Sequence, residues 1–210
     1  MLWTTASRSG VGGVITLLWL GLAPALVSAP ANRPNLVFIL TDNHGAWTLG
    51  CYGNKEIRSP NIDRLAAEGL LFTQAYCNNS VCSPSRASFL TGLIPSQHGV
   101  HCYIPNAAQI GPKAYSTIRE FRTLPKILAE AGYTCGLSGK WHLGDNLHPQ
   151  EGFTYWFTKA GGHTTTFYND DMIWQGKIYR EPKYTTDAIT DHAVEFLEQN
   201  RARPFFLYLA

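Results

Sequence analysis

Strong charge, metal-type cysteine spacing and long apolar runs are all missing from this chain of 210 residues. Charged residues make up only 15% and the formal net charge is +2, so bulk electrostatics give no indication of nucleic-acid binding. The cysteines at positions 51, 77, 82, 102 and 135 form no Cys-x-x-Cys pair, which argues against a zinc site. No repeat, low-complexity tract or linker divides the sequence, and we expect one globular domain after the N-terminal segment.

The first thirty or so residues have the composition of a secretory signal peptide. Arg8 precedes an apolar run from Val14 to Leu22, and the small residues of Ala29-Pro30-Ala31 predict cleavage after Ala31. Gly21 and Pro24 leave the run short of the roughly 20 apolar residues that a membrane span needs. We expect residues 1–31 to be removed from a secreted or periplasmic protein with no stable membrane association; a retained N-terminal anchor is the alternative.

The remaining chain alternates strand and helix signals. Repeated alternation of this kind favours an α/β layer fold with a mainly parallel sheet and helices on both faces. The regions 104–122 and 145–183 are rich in turns, aromatics and polar residues, and are interpreted as loops over the sheet edge. Strands are predicted over 35–40, 133–138 and 204–210, and the first of them is expected to be buried. The segment 70–76 is expected to be extended. Helices are predicted over 60–68, around 84–90, over 124–131 and over 186–200.

The C-terminus falls inside the last of these strands, with no closing turn. Domains rarely end in mid-strand, so we expect this chain to be the N-terminal part of a longer protein.

The segment Cys82-Ser83-Pro84-Ser85-Arg86 is the most informative stretch of the sequence. Pro84 can preset the first turn of a helix, which places Cys82 at a helix N-terminus. Free amide groups and the helix dipole favour an oxyanion there, and Arg86 adds a fork of donors. A lone cysteine at a helix start is usually a small buried hydrophobe, but by average residue usage this context should occur about once in a hundred thousand positions or less.

Two further polar groups follow predicted strands. Asp42 and Asn43 come after the first strand, and Lys140 and His142 come after the second, where ligand sites of parallel sheets gather. Asp42 and Asn43 offer oxygen ligands that a hard cation prefers. The alternative interpretation of these two residues is a simple polar turn after the strand. Lys140 and His142 are two apart, which predicts side chains on one face; taken singly, a surface lysine and a structural histidine are the simpler interpretations.

The segment from Cys82 to Gly92 resembles the signature of type I (formylglycine-dependent) sulfatases of the arylsulfatase kind. The resemblance continues collinearly over nearly all of residues 32–210, which look like the incomplete N-terminal part of a sulfatase catalytic domain. The other matching stretches are Arg33–Asn35, Leu49–Asn54, Ser59–Asp63 and Gly132–Gly144.

The resemblance implies an alkaline-phosphatase-like fold and hydrolysis of sulfate esters. Cys82 would be converted to formylglycine by a formylglycine-generating enzyme and act as nucleophile. Arg86 and Lys140 would neutralise charge, and His142 would orient or deprotonate the hydrate. Calcium, or magnesium, would be held by Asp42, Asn43 and residue 82. The substrate would be a sulfated small molecule or glycan, with no nucleic-acid partner.

Besides Cys135, which stands where family members commonly carry Ser or Thr, the chain departs from the family pattern in two ways. Asn43 stands where family members usually carry a second acidic residue, which removes one negative charge from the metal site. The later histidine, lysine and Asp-Asn pair of sulfatases would lie beyond Ala210, so we expect these 210 residues alone to bind metal poorly and to be inactive.

Three other functions remain open from the sequence. One is a phosphate or phosphonate monoester hydrolase of the same superfamily. The second is a binding protein in which Cys82 stays a thiol, and the third is an extracellular structural domain in which Cys82 is paired in a disulfide.

Overall fold

The computed structural model describes residues 33–210, so the signal peptide predicted for residues 1–31 lies outside the described residues. The described strands form one sheet in the order β1-β6-β2-β3-β4-β5. β1, β6, β2 and β3 run parallel, and β4 and β5 are antiparallel to their neighbours. The mainly parallel α/β prediction is confirmed. The strand bounds are β1 Leu36–Ile39, β2 Thr134–Gly139, β3 Tyr155–Lys159, β4 Asp170–Trp174, β5 Lys177–Glu181 and β6 Phe205–Leu209.

Every predicted helix is present, and prolines mark several of the starts. Pro60 and Pro125 lie in the first turns of their helices, where a missing N–H costs nothing. None of the helices within residues 33–210 is both long enough and apolar enough to cross a bilayer. The helices are α1 Pro60–Glu68, α2 Cys82–Thr91, α3 Pro95–His98, α4 Leu124–Glu130 and α5 Thr185–Gln199, with 3-10 turns at Ala46–Thr48, Gly50–Tyr52 and Asn106–Ala108.

Apolar side chains on both faces of the sheet are covered by helices. Phe206 and Tyr208 of β6 point into a core that includes Leu90 of α2 and the buried Trp141 and Trp156. Their neighbours in β6 point the other way, into a core completed by Phe196 of α5 and other residues of that helix. The period-two alternation of a strand produces this division. β6 therefore lies at the centre of two helix-covered layers.

The region 145–183, predicted as loops, contains three strands, and that prediction is wrong. β3 is buried along its whole length, so it lacks the polar alternation that marks a half-exposed strand. β4 and β5 form a hairpin whose turn residues, Gln175 and Gly176, have φ of 51° and 72°. A two-residue turn with positive φ matches strand twist, but Gln-Gly is a weaker signal for it than Asn-Gly. The region 104–122 does consist of loops, apart from the 3-10 turn at Asn106–Ala108.

β1, predicted as a buried strand, has one neighbouring strand among residues 33–210. It pairs with β6 on one side, and Val37 and Ile39 are 49% and 59% exposed. A continuous apolar run does not reveal where in a sheet the strand lies. The segment from Leu70 to Tyr76, expected to be extended, joins no strand within the described residues.

Candidate active site

The start of α2 is fixed by the residues just before it. Val81 is extended, with φ −85° and ψ 141°, and its amide donates to Asn79 Oδ1 at 2.7 Å. The first helical hydrogen bond runs from the Ser85 amide to the Val81 carbonyl at 3.0 Å. Cys82 is therefore the first residue of the helix, as the sequence predicts, in the turn whose amides have no intrahelical acceptor.

Five of the predicted site residues line one cavity of about 440 Å³. They come from three separate stretches of chain: the loop after β1, the first turns of α2, and the residue after β2. The parallel sheet brings the ends of β1 and β2 to the same edge, and α2 begins beside them. These five residues are Asp42, Asn43, Cys82, Arg86 and Lys140.

The charged groups of the cavity are interlocked. Lys140 Nζ lies 2.8 Å from Asp42 Oδ2, and Arg86 Nη2 lies 3.5 Å from the same oxygen. Arg86 Nη1 also donates to the Lys140 carbonyl at 2.6 Å, and Arg86 is only 2% exposed. Partial burial acts to raise the pKa of Asp42, but the hydrogen bond and charge of Lys140, with Arg86, hold it below its usual value. Two cations therefore converge on a single carboxylate.

Lys140 reaches the cavity because the backbone leaves β2 at Gly139. Gly139 has φ of 115°, and a Cβ on this residue would overlap the carbonyl of Ala210. The next amide, that of Lys140, donates to that carbonyl at 2.7 Å. Glycine is the residue that tolerates both the conformation and the close approach.

His142 lies behind the cavity and does not line it. The residue is fully buried and has φ of 57°. β2 ends at Gly139, so the expectation that strand spacing puts Lys140 and His142 on one face is wrong. His142 Nε2 lies 3.0 Å from the Ile104 carbonyl. A carbonyl can only accept, so Nε2 carries the proton and Nδ1 carries the lone pair.

Burial sets the protonation state of this histidine. Burial first, and then the charge of Lys140, lowers the pKa of His142 to about 4. Its Nδ1 is buried without a hydrogen-bond partner among the described residues. The neutral ring thus offers an acceptor at neutral pH and is a weak base.

Ser83 holds His142 in place and was not singled out by the sequence. Its Oγ donates to the His142 carbonyl at 2.8 Å and accepts from the Ile104 amide at 3.0 Å. Gly162 closes the other side, where a Cβ would overlap the imidazole of His142. These partners are distant in sequence, so no local pattern could have indicated them.

His163 is a second residue that sequence reasoning missed. It is exposed and lines the same cavity as Cys82. Its ring centroid lies 5.4 Å from that of His142 and 5.8 Å from that of Tyr103. A histidine in a loop after a strand had no distinguishing signal without β3 being recognised.

The oxygen donors of the cavity fit a hard cation by type. Asp42 supplies a carboxylate and Asn43 an amide oxygen, the ligands that Ca²⁺ and Mg²⁺ prefer. Between residues 33 and 210, no three or more His, Cys, Asp or Glu side chains gather as metal ligands. Asp42, Asn43 and residue 82 give fewer oxygens than the six to eight that calcium takes.

Comparison with known proteins identifies the family of this chain. The sulfatase family model matches residues 34–210. The N-acetylglucosamine-6-O-sulfatase of Bacteroides thetaiotaomicron is 38% identical over 175 residues, which cover 82% of this chain and 29% of the relative. The N-acetylgalactosamine-6-sulfatase of Canis lupus familiaris is 34% identical over 230 residues, which cover 98% of this chain and 44% of the relative.

A solved structure has a fold similar to that of this chain. A protein in complex with its substrate, D-glucosamine-2-N,6-O-disulfate, matches with a TM-score of 0.70 and 36% identity, covering 84% of this chain and 34% of that one. This match confirms the alkaline-phosphatase-like fold. The chain spans less than half the length of the curated relatives it matches. It belongs to the sulfatase family.

Proposed function

We propose that the protein to which this chain belongs hydrolyses sulfate esters, with residue 82 as a formylglycine nucleophile. One observation carries the proposal: Cys82, two cations and two oxygen donors line a single cavity of about 440 Å³. The Cβ of Cys82 would become the aldehyde carbon of formylglycine, and the aldehyde oxygen would take the place of Sγ. We propose that a formylglycine-generating enzyme makes this conversion and that residues 1–31 direct export, which gives a secreted or periplasmic enzyme.

The reaction proceeds by covalent catalysis. One hydroxyl of the hydrated formylglycine attacks the sulfur of the ester, and the bond from sulfur to the alcohol oxygen breaks. The attacking hydroxyl gives up its proton, and the alcohol leaves with a proton. The second hydroxyl of residue 82 then gives its proton to solvent and forms the carbon–oxygen double bond again, while the bond from the same carbon to the sulfated oxygen breaks and sulfate is released. Water regenerates the hydrate.

Arg86 and Lys140 stabilise the negative charge of this reaction. Arg86 is buried and held by the Lys140 carbonyl, so its donors are fixed before substrate arrives. Fixed donors in a site shielded from water are worth more than mobile ones, because they need no reorganisation. Lys140 contributes a compact cation beside the same carboxylate.

His142 acts as an orienting acceptor. Its Nε2 proton is engaged by the Ile104 carbonyl, so the lone pair on Nδ1 is the free function of the ring. Because its pKa is about 4, the ring is a weak base and stays unprotonated at neutral pH. We therefore favour a role in orienting the hydrate of residue 82 over a role as a strong general base.

Asp42, Asn43 and an oxygen of residue 82 would hold a divalent cation, with further ligands from the rest of the complete protein. Such an ion, when bound, supplies charge neutralisation at the formylglycine oxygen. Asn43 makes the site one negative charge poorer than a pair of aspartates. We propose calcium, with magnesium as the competitor that a smaller charge could favour.

The substrate class follows from the relatives. Two of them are named for the 6-sulfate of an amino sugar, and a structural neighbour was solved with a 6-O-sulfated glucosamine. We propose that this protein removes a 6-O-sulfate from an amino sugar of a glycan. Because the chain covers at most 44% of those two relatives, the activity is proposed for the complete protein.

Mass spectrometry of the peptide carrying residue 82 is the decisive experiment. The complete protein is co-expressed with a formylglycine-generating enzyme and assayed on glucosamine-6-sulfate, an aryl sulfate and the matching phosphate ester. We expect an aldehyde or hydrate at residue 82 and hydrolysis of sulfate in preference to phosphate. Faster phosphate hydrolysis would favour a phosphatase of the same superfamily, and an unmodified thiol without turnover would favour a binding protein.

A pair of cysteine variants supplies the control. Cys82→Ser removes the precursor of the aldehyde, and we expect turnover to fall to background. Cys102 is also a free cysteine and is exposed, but it does not line the cavity. Cys102→Ser should keep activity within about twofold, since surface substitutions away from special features have small effects.

A further inference from the structure

A second cavity, of about 760 Å³, adjoins the candidate active site. The two cavities share Asp42, Arg86, Lys140 and His163 in their linings. The second extends away from Cys82 towards the start of α5. Its own lining includes the threonines 164, 185, 186 and 190 together with Phe167. A molecule bound at Cys82 and longer than one unit could therefore continue into this space.

Three exposed aromatic rings stand together, and one of them, Phe167, lines the second cavity. We name Phe167, Tyr168 and Tyr184 the aromatic rim. Tyr184 lies 6.0 Å from Phe167 and 5.5 Å from Tyr168, between ring centroids. Their exposed fractions are 58%, 58% and 36% in sequence order. Scattered exposed rings need no explanation, but a contiguous group at the mouth of a cavity is a feature of ligand sites.

The rim is held in place by backbone contacts. The Phe167 carbonyl accepts from the amide of Thr185 at 2.8 Å and from its hydroxyl at 3.1 Å. Thr166 Oγ1 donates to the Tyr168 carbonyl at 2.6 Å and accepts from the Tyr168 amide at 3.3 Å. Thr185 is 4% exposed, so the anchor lies inside the protein. A rim that is already ordered loses little entropy when a ligand binds.

The cation that the second cavity adds to the shared ones is already paired. This cation, Lys159, is buried and forms an ion pair with Asp170. Lys183, next to the rim in sequence, pairs with Asp191 at 2.9 Å. What remains is a set of aromatic faces and threonine hydroxyls. This chemistry suits a ligand with an apolar face and a hydroxyl edge better than a second sulfate group.

We propose that the aromatic rim and the second cavity bind the sugar ring adjacent to the sulfated one, as a neutral sugar subsite. A sugar ring stacks its C–H face on aromatic rings and turns its hydroxyls to polar groups such as Thr164 and Thr186. The assignment rests on the proposed function, because it takes the sulfated ring to be at Cys82. The protein would then bind oligosaccharides more tightly than isolated monosaccharides.

A double variant of the complete protein tests the subsite. Phe167→Ala with Tyr168→Ala removes two rings, and Phe72→Ala removes a ring that is 63% exposed but lines neither cavity. The substrates are a 6-O-sulfated amino-sugar monosaccharide and a tetrasaccharide carrying the same sulfated unit. We expect KM for the tetrasaccharide to rise about tenfold in the double variant, because two ring contacts with the sugar are lost.

The monosaccharide should be hydrolysed within twofold of the wild-type rate by both variants. An equal loss on both substrates, or no loss on either, overturns the subsite. Phe167→Ala alone serves as a milder variant if the double variant is unstable, because Phe167 lines the second cavity, and about a threefold rise in KM for the tetrasaccharide is then expected. A shift from dimer to monomer in the rim variants on sedimentation would assign the rim to a protein interface and overturn the proposal.

Binding of a desulfated tetrasaccharide separates this proposal from the proposed function. Calorimetry with the wild-type protein should show binding that the double variant loses and Phe72→Ala keeps. If no sulfate ester is hydrolysed but this binding is seen, the proposed function fails and the subsite stands. If sulfate esters are hydrolysed but the wild type and the double variant bind the tetrasaccharide equally, the subsite fails alone.

Discussion

Two regions beside the cavities are built in opposite ways. Arg86, Lys140 and His142, the buried wall, are at most 9% exposed, and each contacts backbone or side chains from distant segments. The aromatic rim is exposed and depends mainly on one anchor, the Phe167 carbonyl, which accepts from Thr185 at the start of α5. Polar groups are buried in one region, and apolar rings face water in the other.

The two regions therefore tolerate different amino-acid substitutions. A buried charge must keep its partners, since an unpaired one costs several kcal/mol, so the wall admits few substitutions. An exposed ring can change without leaving a cavity or an unsatisfied group behind. Residues of the wall therefore determine the reaction, whereas substitutions in the rim can change which ligand binds without affecting the reaction.

The largest expected effect in the wall is the loss of activity when its buried arginine is replaced by lysine. Arg86 donates to the Lys140 carbonyl at 2.6 Å and lies 3.5 Å from Asp42, and a single ammonium cannot serve both with the same geometry. We expect Arg86→Lys to lower kcat about 10³-fold in the complete protein, the scale seen when a fixed donor is removed from a transition state. Steady-state kinetics on the monosaccharide substrate measure it.

The matched control is an arginine outside the wall. Arg122 pairs with Glu130 at 2.7 Å, but their side chains are 71% and 61% exposed. Arg122→Lys should leave kcat within about twofold, because exposed ion pairs contribute little. If Arg86→Lys keeps a tenth or more of the activity, the contrast between wall and surface fails.

The second prediction concerns the pH dependence of stability. The pKa of His142 is about 4 in the folded protein, below its ordinary value of 6.5. Between these values the unfolded chain binds more protons, so the free energy of unfolding rises with pH. The contribution is fully present above pH 6.5 and is lost as pH falls towards 4, with a total on the order of 3 kcal/mol. Urea unfolding at several pH values measures the slope.

Two glutamine variants locate this dependence. His142→Gln should reduce the rise in unfolding midpoint between pH 4.5 and 6.5, and the remaining rise is expected from His98 and His192, whose pKa values burial also lowers. His148→Gln should not, because His148 is 64% exposed and pairs with Asp145 at the surface. An unchanged slope in His142→Gln would show that the ring is not held neutral by burial.

Much of the wall could be predicted from sequence, because its signals are local. Pro84 indicates the start of α2 and hence the place of Cys82 and Arg86, and strand ends indicate Asp42 and Lys140. The rule that ligands gather at one edge of a parallel sheet then puts them together. What a local signal cannot supply is a contact between distant segments, such as Ser83 with His142.

The rim lies where the sequence prediction failed. Phe167 and Tyr168 fall in the region interpreted as loops over the sheet edge, between β3 and β4. β3 has no period-two pattern because both of its faces are buried, and Gln175-Gly176 is an atypical hairpin turn. Without those strands, nothing in the sequence brings the rings next to α5. His142 was misplaced for a related reason, since its φ of 57° departs from any strand continuation.

The smallest expected effect comes from substitution of two neighbouring glycines in the loop between β3 and β4, the loop that also contains Phe167 and Tyr168. A Cβ at Gly162 would overlap the imidazole of His142, whereas a Cβ at Gly161 would meet its nearest atom at 3.7 Å. Neither has the positive φ that would itself disfavour alanine. Gly162→Ala should lower the free energy of unfolding by about 1–3 kcal/mol through overpacking, and Gly161→Ala should change it by less than about 0.5 kcal/mol.

Kinetics of the same pair show which region the loop serves. Displacement of His142 acts on the hydrate of residue 82, so Gly162→Ala should lower kcat equally for the monosaccharide and the tetrasaccharide. Gly161→Ala should leave both unchanged. A rise in KM for the tetrasaccharide alone in Gly162→Ala would mean that the loop transmits the change to Phe167 and Tyr168 instead. The wall and the rim would then be one coupled unit, and the ligand could not vary without cost to the reaction.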